Sequence, residues 1–596
     1  MLARQRSLAC EVCKFDFAAT YGTLGERFIE AHHIVPHAGA STTKLATWPW
    51  SAPTATACCT GPGVHAHTVS LSPNTTLACP RRGVGAHGVR ARGGPWKASS
   101  CLGDAGTALR ESRGVERATQ TLHRLTSLAS FELGREWEVP VEDPRVVQDL
   151  EVNDLTRLPW FFKRYVQSLP CVRLPRSLPP TMAPAVAVLA GSADVARAEL
   201  DLPHLGRLLH LSAGVVRTAE RPYGQVPFRA AGSAGGRFPL ELYVAVPVGL
   251  RVPAGVHWYD PHQHALLQVG PPPRGGAAAI VVTGVPWRTG WRYRERGYRH
   301  LYWDAGTMLA QLLAVADSAG LTARLHSKFP DAAVAALVGA DRVHELPVAV
   351  VALGGGAPGL EATGPAAVGA VDAAPVEFSL ITSAQRAGER DRLGPPWERG
   401  ARVDVPVQGA DPIETVVLAR GSQRRMDPAR GLSESLLRTS LRAALRGVAV
   451  PHRVVVHDVE GLAPGLYRWP DLSAPVRSGA MRDELYRVCL DQGLAHDAAF
   501  VVIAAAGVGA LDDREYREAQ LAAGLVEGKL HLLAYGLGAS ASGMSFVDSK
   551  VPALLGEPLD ALLFTCIGVP EYTSAAGGMP GAPTAIRTVT PRNDVY

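Results

Sequence analysis

Phe329-Pro330-Asp331-Ala332-Ala333-Val334-Ala335-Ala336-Leu337-Val338-Gly339 returns in altered form as Phe546-Val547-Asp548-Ser549-Lys550-Val551-Pro552-Ala553-Leu554-Leu555-Gly556. Both stretches read F-x-D-x-x-V-x-A-L-x-G, and the offset is 546 − 329 = 217 residues. An apolar run follows each, Pro347 to Gly354 in the first case and Leu562 to Pro570 in the second. Gly255 to Pro261 likewise has a counterpart in Gly465 to Pro470. Self-similarity at a fixed offset marks a duplicated structural unit. The chain is therefore expected to carry two copies of one fold, and 356–410 between them, rich in Gly, Ala and Pro, reads as a linker.

The copies differ where a ligand could be held. The second begins with an apolar run, Val416-Val417-Leu418-Ala419, that gives way to Arg420-Gly421-Ser422-Gln423-Arg424 and then to a helical pattern at Leu432, Leu436, Leu437 and Leu441. Arginine forks and a small hydroxyl are suitable phosphate ligands; a solvated basic turn is the plainer alternative. The first copy has Ala190-Gly191-Ser192-Ala193-Asp194 at the corresponding place, without either arginine. It has instead Phe228-Arg229-Ala230-Ala231-Gly232-Ser233-Ala234-Gly235-Gly236-Arg237-Phe238-Pro239-Leu240-Glu241-Leu242-Tyr243. A small-residue loop before a strand lets backbone amides approach a ligand closely, although an ordinary Gly-rich turn looks the same. The second copy has no such loop between Leu445 and Gly465. These losses are complementary, which random decay would not favour. Elsewhere the spacing predicts helices over Leu202 to Gly214, Asp304 to Leu313 and Asn153 to Val166.

Composition narrows the class. The chain has 596 residues, 47% hydrophobic and 19% charged, as expected of a protein with real cores. A net charge of +5, with Arg favoured over Lys, reflects a coding bias rather than a nucleic-acid-binding design. No apolar run reaches about 18 residues, so no spanning helix and no membrane partner are expected. Nine cysteines without framework spacing point to reduced thiols and a cytoplasmic location.

The N-terminal region follows a different logic. Cys10-Glu11-Val12-Cys13 could supply two zinc ligands, and Ala31-His32-His33-Ile34 places adjacent histidines downstream. Together they resemble the first half of an HNH endonuclease with a four-cysteine zinc knuckle. The resemblance implies zinc at Cys10, Cys13 and His32, and His33 as general base. The second C-x-x-C and its histidine are missing. Codons can be chosen for Thr47 to Cys59 so that a one-nucleotide shift reads Cys-Pro-Asn-Cys-His, which implies a frameshift near Leu45–Thr47. Residues 1–46 are thus expected to be an inactive nuclease remnant, with nucleic acid unlikely as a partner. Residues 47–130 are expected to be disordered, order resuming around Phe131.

Arg-x-Ser-x-Arg before a helix resembles the FMN-phosphate signature of the nitroreductase-like flavoproteins. The 228–243 string resembles Arg-x-x-Pro-Ser-Ala-Gly-Ala-x-x-Pro-Leu-Glu-Leu-Tyr of the SagB-type dehydrogenases, which oxidise thiazolines and oxazolines in modified peptides; Gly232 stands at the family's proline. The resemblance implies an α+β, nitroreductase-like fold in two tandem copies, 150–355 and 411–596, forming an intrachain pseudo-dimer. It implies one FMN between the halves, held by Arg420, Ser422 and Arg424, with Arg229, Ser233, Ala234 and Gly235 against it. Arg587 is a further phosphate contact or a solvated terminal arginine. Where the azoline-oxidising relatives carry a catalytic Lys-Tyr pair, this chain has Arg292-Tyr293; arginine stays protonated and does not serve readily as a base. The implied activity is dehydrogenation of a small-molecule or modified-peptide substrate, with a cyclodehydratase-type partner. The alternatives are an NAD(P)H-dependent nitro or quinone reductase and a non-catalytic flavin-binding subunit.

Overall fold

The structure, a computed structural model, describes residues 116–132, 135–138, 155–221, 223–405 and 411–592. Two antiparallel sheets carry the repeat, and they follow one path. From edge to edge the first runs Ala323–His326, Leu346–Leu353, Ala278–Gly284, Leu240–Val246, Gly255–Asp260, Ala265–Gly270 and Cys171–Arg173. The second runs Ser540–Met544, Asp560–Gly568, Phe500–Ala506, His452–Val456, Gly465–Arg468 and Arg477–Ser478. Position for position the orders match. The central strands are continuous apolar runs, LPVAVVAL and FVVIAAA, and every residue in them is buried. Such runs form strands covered on both faces.

The repeated motif now has a physical meaning. Each copy starts a short helix, Asp331–Val338 or Val551–Leu555, closed by a left-handed glycine: Gly339 at φ 70° and Gly556 at φ 66°. A side chain there would be strained, which accounts for the motif's last letter. The motif's aspartates reach across to the opposite half. Asp331 pairs with Arg514 and Arg517 at 3.0 Å, and Asp548 with Arg296 at 2.7 Å and Arg299 at 2.6 Å. These arginines sit at equivalent places near the starts of two long helices, Gly297–Ser318 and Asp513–Gly536. In the first long helix every residue but Asp317 is buried.

The long helices cross at glycines. Offsetting one by 218 residues superposes Arg296 on Arg514 and Arg299 on Arg517, and sets Gly306 on Gly524. A Cβ on Gly306 would lie 2.6 Å from the Gly524 carbonyl carbon, and one on Gly524 would lie 2.8 Å from the Trp303 Cα. Backbone cannot give way as a flexible side chain can. Gly306→Ala and Gly524→Ala should each cost about 3 kcal/mol, the upper end of ordinary overpacking. Denaturant unfolding measures it, and a change below about 0.5 kcal/mol would contradict this crossing.

Three expectations need correction. Asn153 to Val166 is not a helix: among the described residues, only Leu155–Arg157 turns, as a 3₁₀ helix. Pro159 lies in that stretch, and proline breaks a helix interior. The 356–410 connection is more than a linker, for it holds the helix Ser379–Ala387, with Leu380, Ile381 and Ala384 in the core. The segment expected to lack order up to residue 130 forms a helix over Ala118–Leu125 instead. Thr119, Leu122, His123, Leu125 and Thr126 are buried there at helical spacing. Among the described residues no helix is long and apolar enough to cross a membrane.

The C-terminal tail returns to the first half. Thr584–Ala585 pairs in parallel with Val215–Arg221, and Ile586 N–H donates to the Thr218 carbonyl at 2.8 Å.

Candidate active site

A cavity of about 580 Å³ is lined by both halves. Its walls bring together all ten residues singled out for cofactor and chemistry: Arg229, Ser233, Ala234, Gly235, Arg292, Tyr293, Arg420, Ser422, Arg424 and Arg587. Cys10, Cys13, His32 and His33 lie outside the described residues, so the structure bears on neither the zinc site nor the nuclease base. Among the described residues no group of three or more His, Cys, Asp or Glu is placed to hold a metal.

One wall is built around Arg420, at the end of the helix Ile413–Ala419. Arg420 is only 4% exposed. One of its nitrogens donates to the Ala230 carbonyl at 2.6 Å, while Nε and Nη1 are buried without a hydrogen-bond partner. Buried N–H groups normally find partners, so two free ones facing a cavity call for an acceptor from outside. The loop that follows is fixed at many points. Arg217 of the first half donates to the Arg420 carbonyl at 2.9 Å, Tyr535 to the Gly421 carbonyl at 2.8 Å, and Gln423 to the Arg425 carbonyl at 2.8 Å. Ser422 and Arg424 stay exposed on this held loop.

The facing wall is the small-residue loop. A Cβ on Gly232 would sit 3.3 Å from Arg420 Nη1 and 3.8 Å from Ser422 Oγ, so the two halves meet there. Gly235, at φ 58°, packs against the next element: a Cβ there would fall 2.9 Å from both Arg292 Cδ and Tyr293 Oη. The loop hangs on Asp304, from the first long helix. Asp304 accepts from Ser233 Oγ at 2.5 Å and from the Ala234 N–H at 2.9 Å. Burial pushes its carboxyl up to about 8, the hydrogen bonds from Ser233 and Ala234 only partly offsetting it.

The remaining residues take less direct places. Arg229 spends its guanidinium on the Leu240 and Phe161 carbonyls, at 2.6 and 3.1 Å, and so braces the loop's base. The Tyr293 ring stacks on His300 with centroids 3.9 Å apart. Burial pushes the Tyr293 phenol above its usual range and holds His300 down at about 3. Arg587 reaches the cavity because the paired tail carries it there.

Sequence reasoning passed over Asp304 and Glu527. Glu527 lies in the wall, accepting from Thr307 and paired with His531 at 2.7 Å. Burial pushes Glu527 up, but His531, Thr307 and Arg420 more than offset it and hold it below the usual carboxylate range. The 218-residue offset would have shown both as unmatched. It sets Asp304 against Ala522, Thr307 against Leu525, Glu527 against Leu309 and His531 against Leu313. At the pseudo-symmetric position the polar groups are thus replaced by apolar ones. There the connecting segment crosses instead, where the Trp397 N–H donates to the Leu325 carbonyl at 2.6 Å and the Val403 N–H to the Ala190 carbonyl at 3.0 Å, while Arg446 of the second copy sets its guanidinium against Gly191.

No family model matches the chain. A Methanocaldococcus jannaschii protein, provisionally named a nitroreductase, is 28% identical over 137 residues. That match covers 20% of this chain and 66% of the relative, so the chain spans just under two thirds of the relative's length. A crystal structure from Anabaena variabilis, also provisionally named a nitroreductase, superposes with a TM-score of 0.59 at 22% identity. It covers 76% of this chain and 100% of that one, more than either half alone could account for. A microcin synthetase complex from E. coli with a truncated pro-peptide bound aligns over 40% of this chain and 91% of its own, at a TM-score of 0.23 and 18% identity. The two matched sheets and the superposition over both halves give this chain a nitroreductase-like, α+β fold in two tandem copies.

Proposed function

We propose that this chain is an FMN-dependent oxidoreductase with one flavin site, between its two halves. The observation that carries the proposal is the buried Arg420 with two free N–H groups, set against Gly232 of the opposite copy in the wall of a cavity that both halves line. Arg420, Ser422 and Arg424 would hold the phosphate as charge-assisted donors and a hydroxyl, with Arg587 beside them. The Ser233 to Gly236 loop, hung on Asp304, would lie against the flavin. Bound there, the flavin supplies hydride transfer; the protein positions it and tunes its surroundings. Tyr293, its ring fixed on His300, would hold or deliver a proton at its phenol oxygen. The substrate in this reading is peptide-derived, an azoline ring being dehydrogenated with the help of a cyclodehydratase-type partner.

A second reading, an NAD(P)H-dependent nitro or quinone reductase, is favoured by one residue. Arg292 offers no neutral amine, so base catalysis would rest on Tyr293 alone. Purified protein separates these readings. A yellow spectrum supports a flavin enzyme, and fast bleaching by NADPH supports the reductase.

The phosphate contacts can be tested by substitution. Arg420 and Arg424 should each contribute roughly 1.5–3 kcal/mol, so losing either weakens FMN binding by about one to two orders of magnitude. Arg420→Ala and Arg424→Ala should release FMN on dilution, while Asp194→Ala, in the copy without arginines, leaves flavin content unchanged. Full retention in the double arginine variant would rule this phosphate site out.

A further inference from the structure

Eight arginines line the cavity, against two carboxylates, Asp304 and Glu527. Both acids are already engaged, with Ser233 and Ala234 and with Thr307 and His531. Arg217 and Arg229 donate to backbone carbonyls. Arg420, Arg424 and Arg587 are assigned to the phosphate above. Arg221 and Arg292 are half-buried and reach water. That leaves Arg237, which is 3% exposed.

Its guanidinium lies over two aromatic rings, 4.6 Å from the Trp291 centroid and 5.2 Å from that of Phe161. Nε and Nη2 are both buried and have no hydrogen-bond partner. The charged groups facing it are Arg288 and Arg292, both cations, and Arg288 is already paired with Glu241 at 2.6 Å. Burial pulls the Arg237 pKa down to about 10, which leaves it a cation at neutral pH. A buried, unpaired charge is costly unless something neutralises it. Both rings lie within cation–π reach of the guanidinium, and Arg237 is part of the cavity wall. Nε and Nη2 form the side of the guanidinium that grips a carboxylate with two parallel hydrogen bonds.

The geometry points to Arg237 as the docking group for a carboxylate of the substrate, so that the molecules turned over here are acids. This rests on the cavity being the reaction site, as proposed above. The carboxylate fixes one end of the substrate against the cavity wall, and the Trp291 and Phe161 rings exclude water from the pair.

Benzoate is the probe, and benzamide its neutral counterpart. Purified FMN-loaded protein is titrated with each and followed by the flavin spectrum. Benzoate is expected to bind with saturation, and Arg237→Gln to weaken it roughly tenfold to a hundredfold, each tenfold being about 1.4 kcal/mol. Arg237→Lys, which keeps the charge but not the fork, should fall between. Benzamide should bind weakly and equally to all three. Equal benzoate affinity in the wild type and Arg237→Gln would overturn the assignment, as would benzamide binding as tightly as benzoate. Should Arg237→Gln leave benzoate unchanged and raise only the KM for NADPH, Arg237 would be a nucleotide contact and the inference wrong. If the protein holds no flavin, the proposed function fails by itself; the same benzoate titration by calorimetry still tests Arg237. Matching circular dichroism of the three proteins excludes misfolding as the cause.

Discussion

A chain starting at residue 131 is expected to lose most of the stability of one starting at residue 116. The helix Ala118–Leu125 and the turn after it are built into the core. Leu122, Leu125 and Leu128 are at most 2% exposed. Each fully buried leucine contributes about 1.5–3 kcal/mol, so three amount to about 5–9 kcal/mol. That is comparable with the whole stability of many domains. Polar contacts go with them. Thr119 donates through both its N–H and its hydroxyl to Asp513, each at 2.8 Å. The His123 carbonyl accepts from Arg299 at 2.7 Å, the Thr126 carbonyl from Arg296 at 2.8 Å, and the Leu128 N–H donates to Asp548 at 2.8 Å. Cutting at 131 leaves those buried arginines short of acceptors. Thermal unfolding of the two truncations decides it, and equal melting temperatures would show the helix to be dispensable.

Asp331→Ala and Asp548→Ala should each destabilise the chain by about 3–5 kcal/mol, the cost of removing one partner from a buried ion pair. Each aspartate pairs with two arginines at the start of the other half's long helix, so its loss leaves two buried cations without that partner. Surface pairs give about 1 kcal/mol or less, and a value that small here would mean the halves do not depend on this exchange. Asp548 also predicts a pH response. Burial alone would raise its pKa, but Arg296 and Arg299 hold it down, from 3.8 to about 2. A carboxylate with a lowered folded pKa stabilises above its unfolded value, and that contribution is lost as pH falls through the folded one. Wild-type stability should therefore decline between about pH 4 and pH 2 by more than that of Asp548→Asn.

Much of the fold was legible because the repeat keeps what its geometry demands. The terminal glycine is required by a left-handed turn, the aspartate by two arginines, and the apolar letters by the core. Arg420, Ser422 and the 233–235 loop stood out for a similar reason, since their pattern survives in only one copy each. The meeting of Gly232 with Arg420 spans almost 190 residues, and no local pattern reports such a contact. Asp304 and Glu527 were hidden inside long helices, where a polar residue usually signals a wet face; here the partner is a loop or another helix. The 118–125 helix was missed because only eight residues carry its pattern, beside a long stretch of Gly, Pro, Ser and Arg. Pro159 should have ruled out the helix expected around it.

The central claim is a single flavin site shared by two unequal halves. Flavin released by denaturing the purified protein, measured against protein concentration, tests it most directly. One FMN per chain is the predicted result, because the proposed site needs Arg420 and the Ser233 loop together and the pseudo-symmetric position has neither. Two FMN per chain, or none, would contradict it.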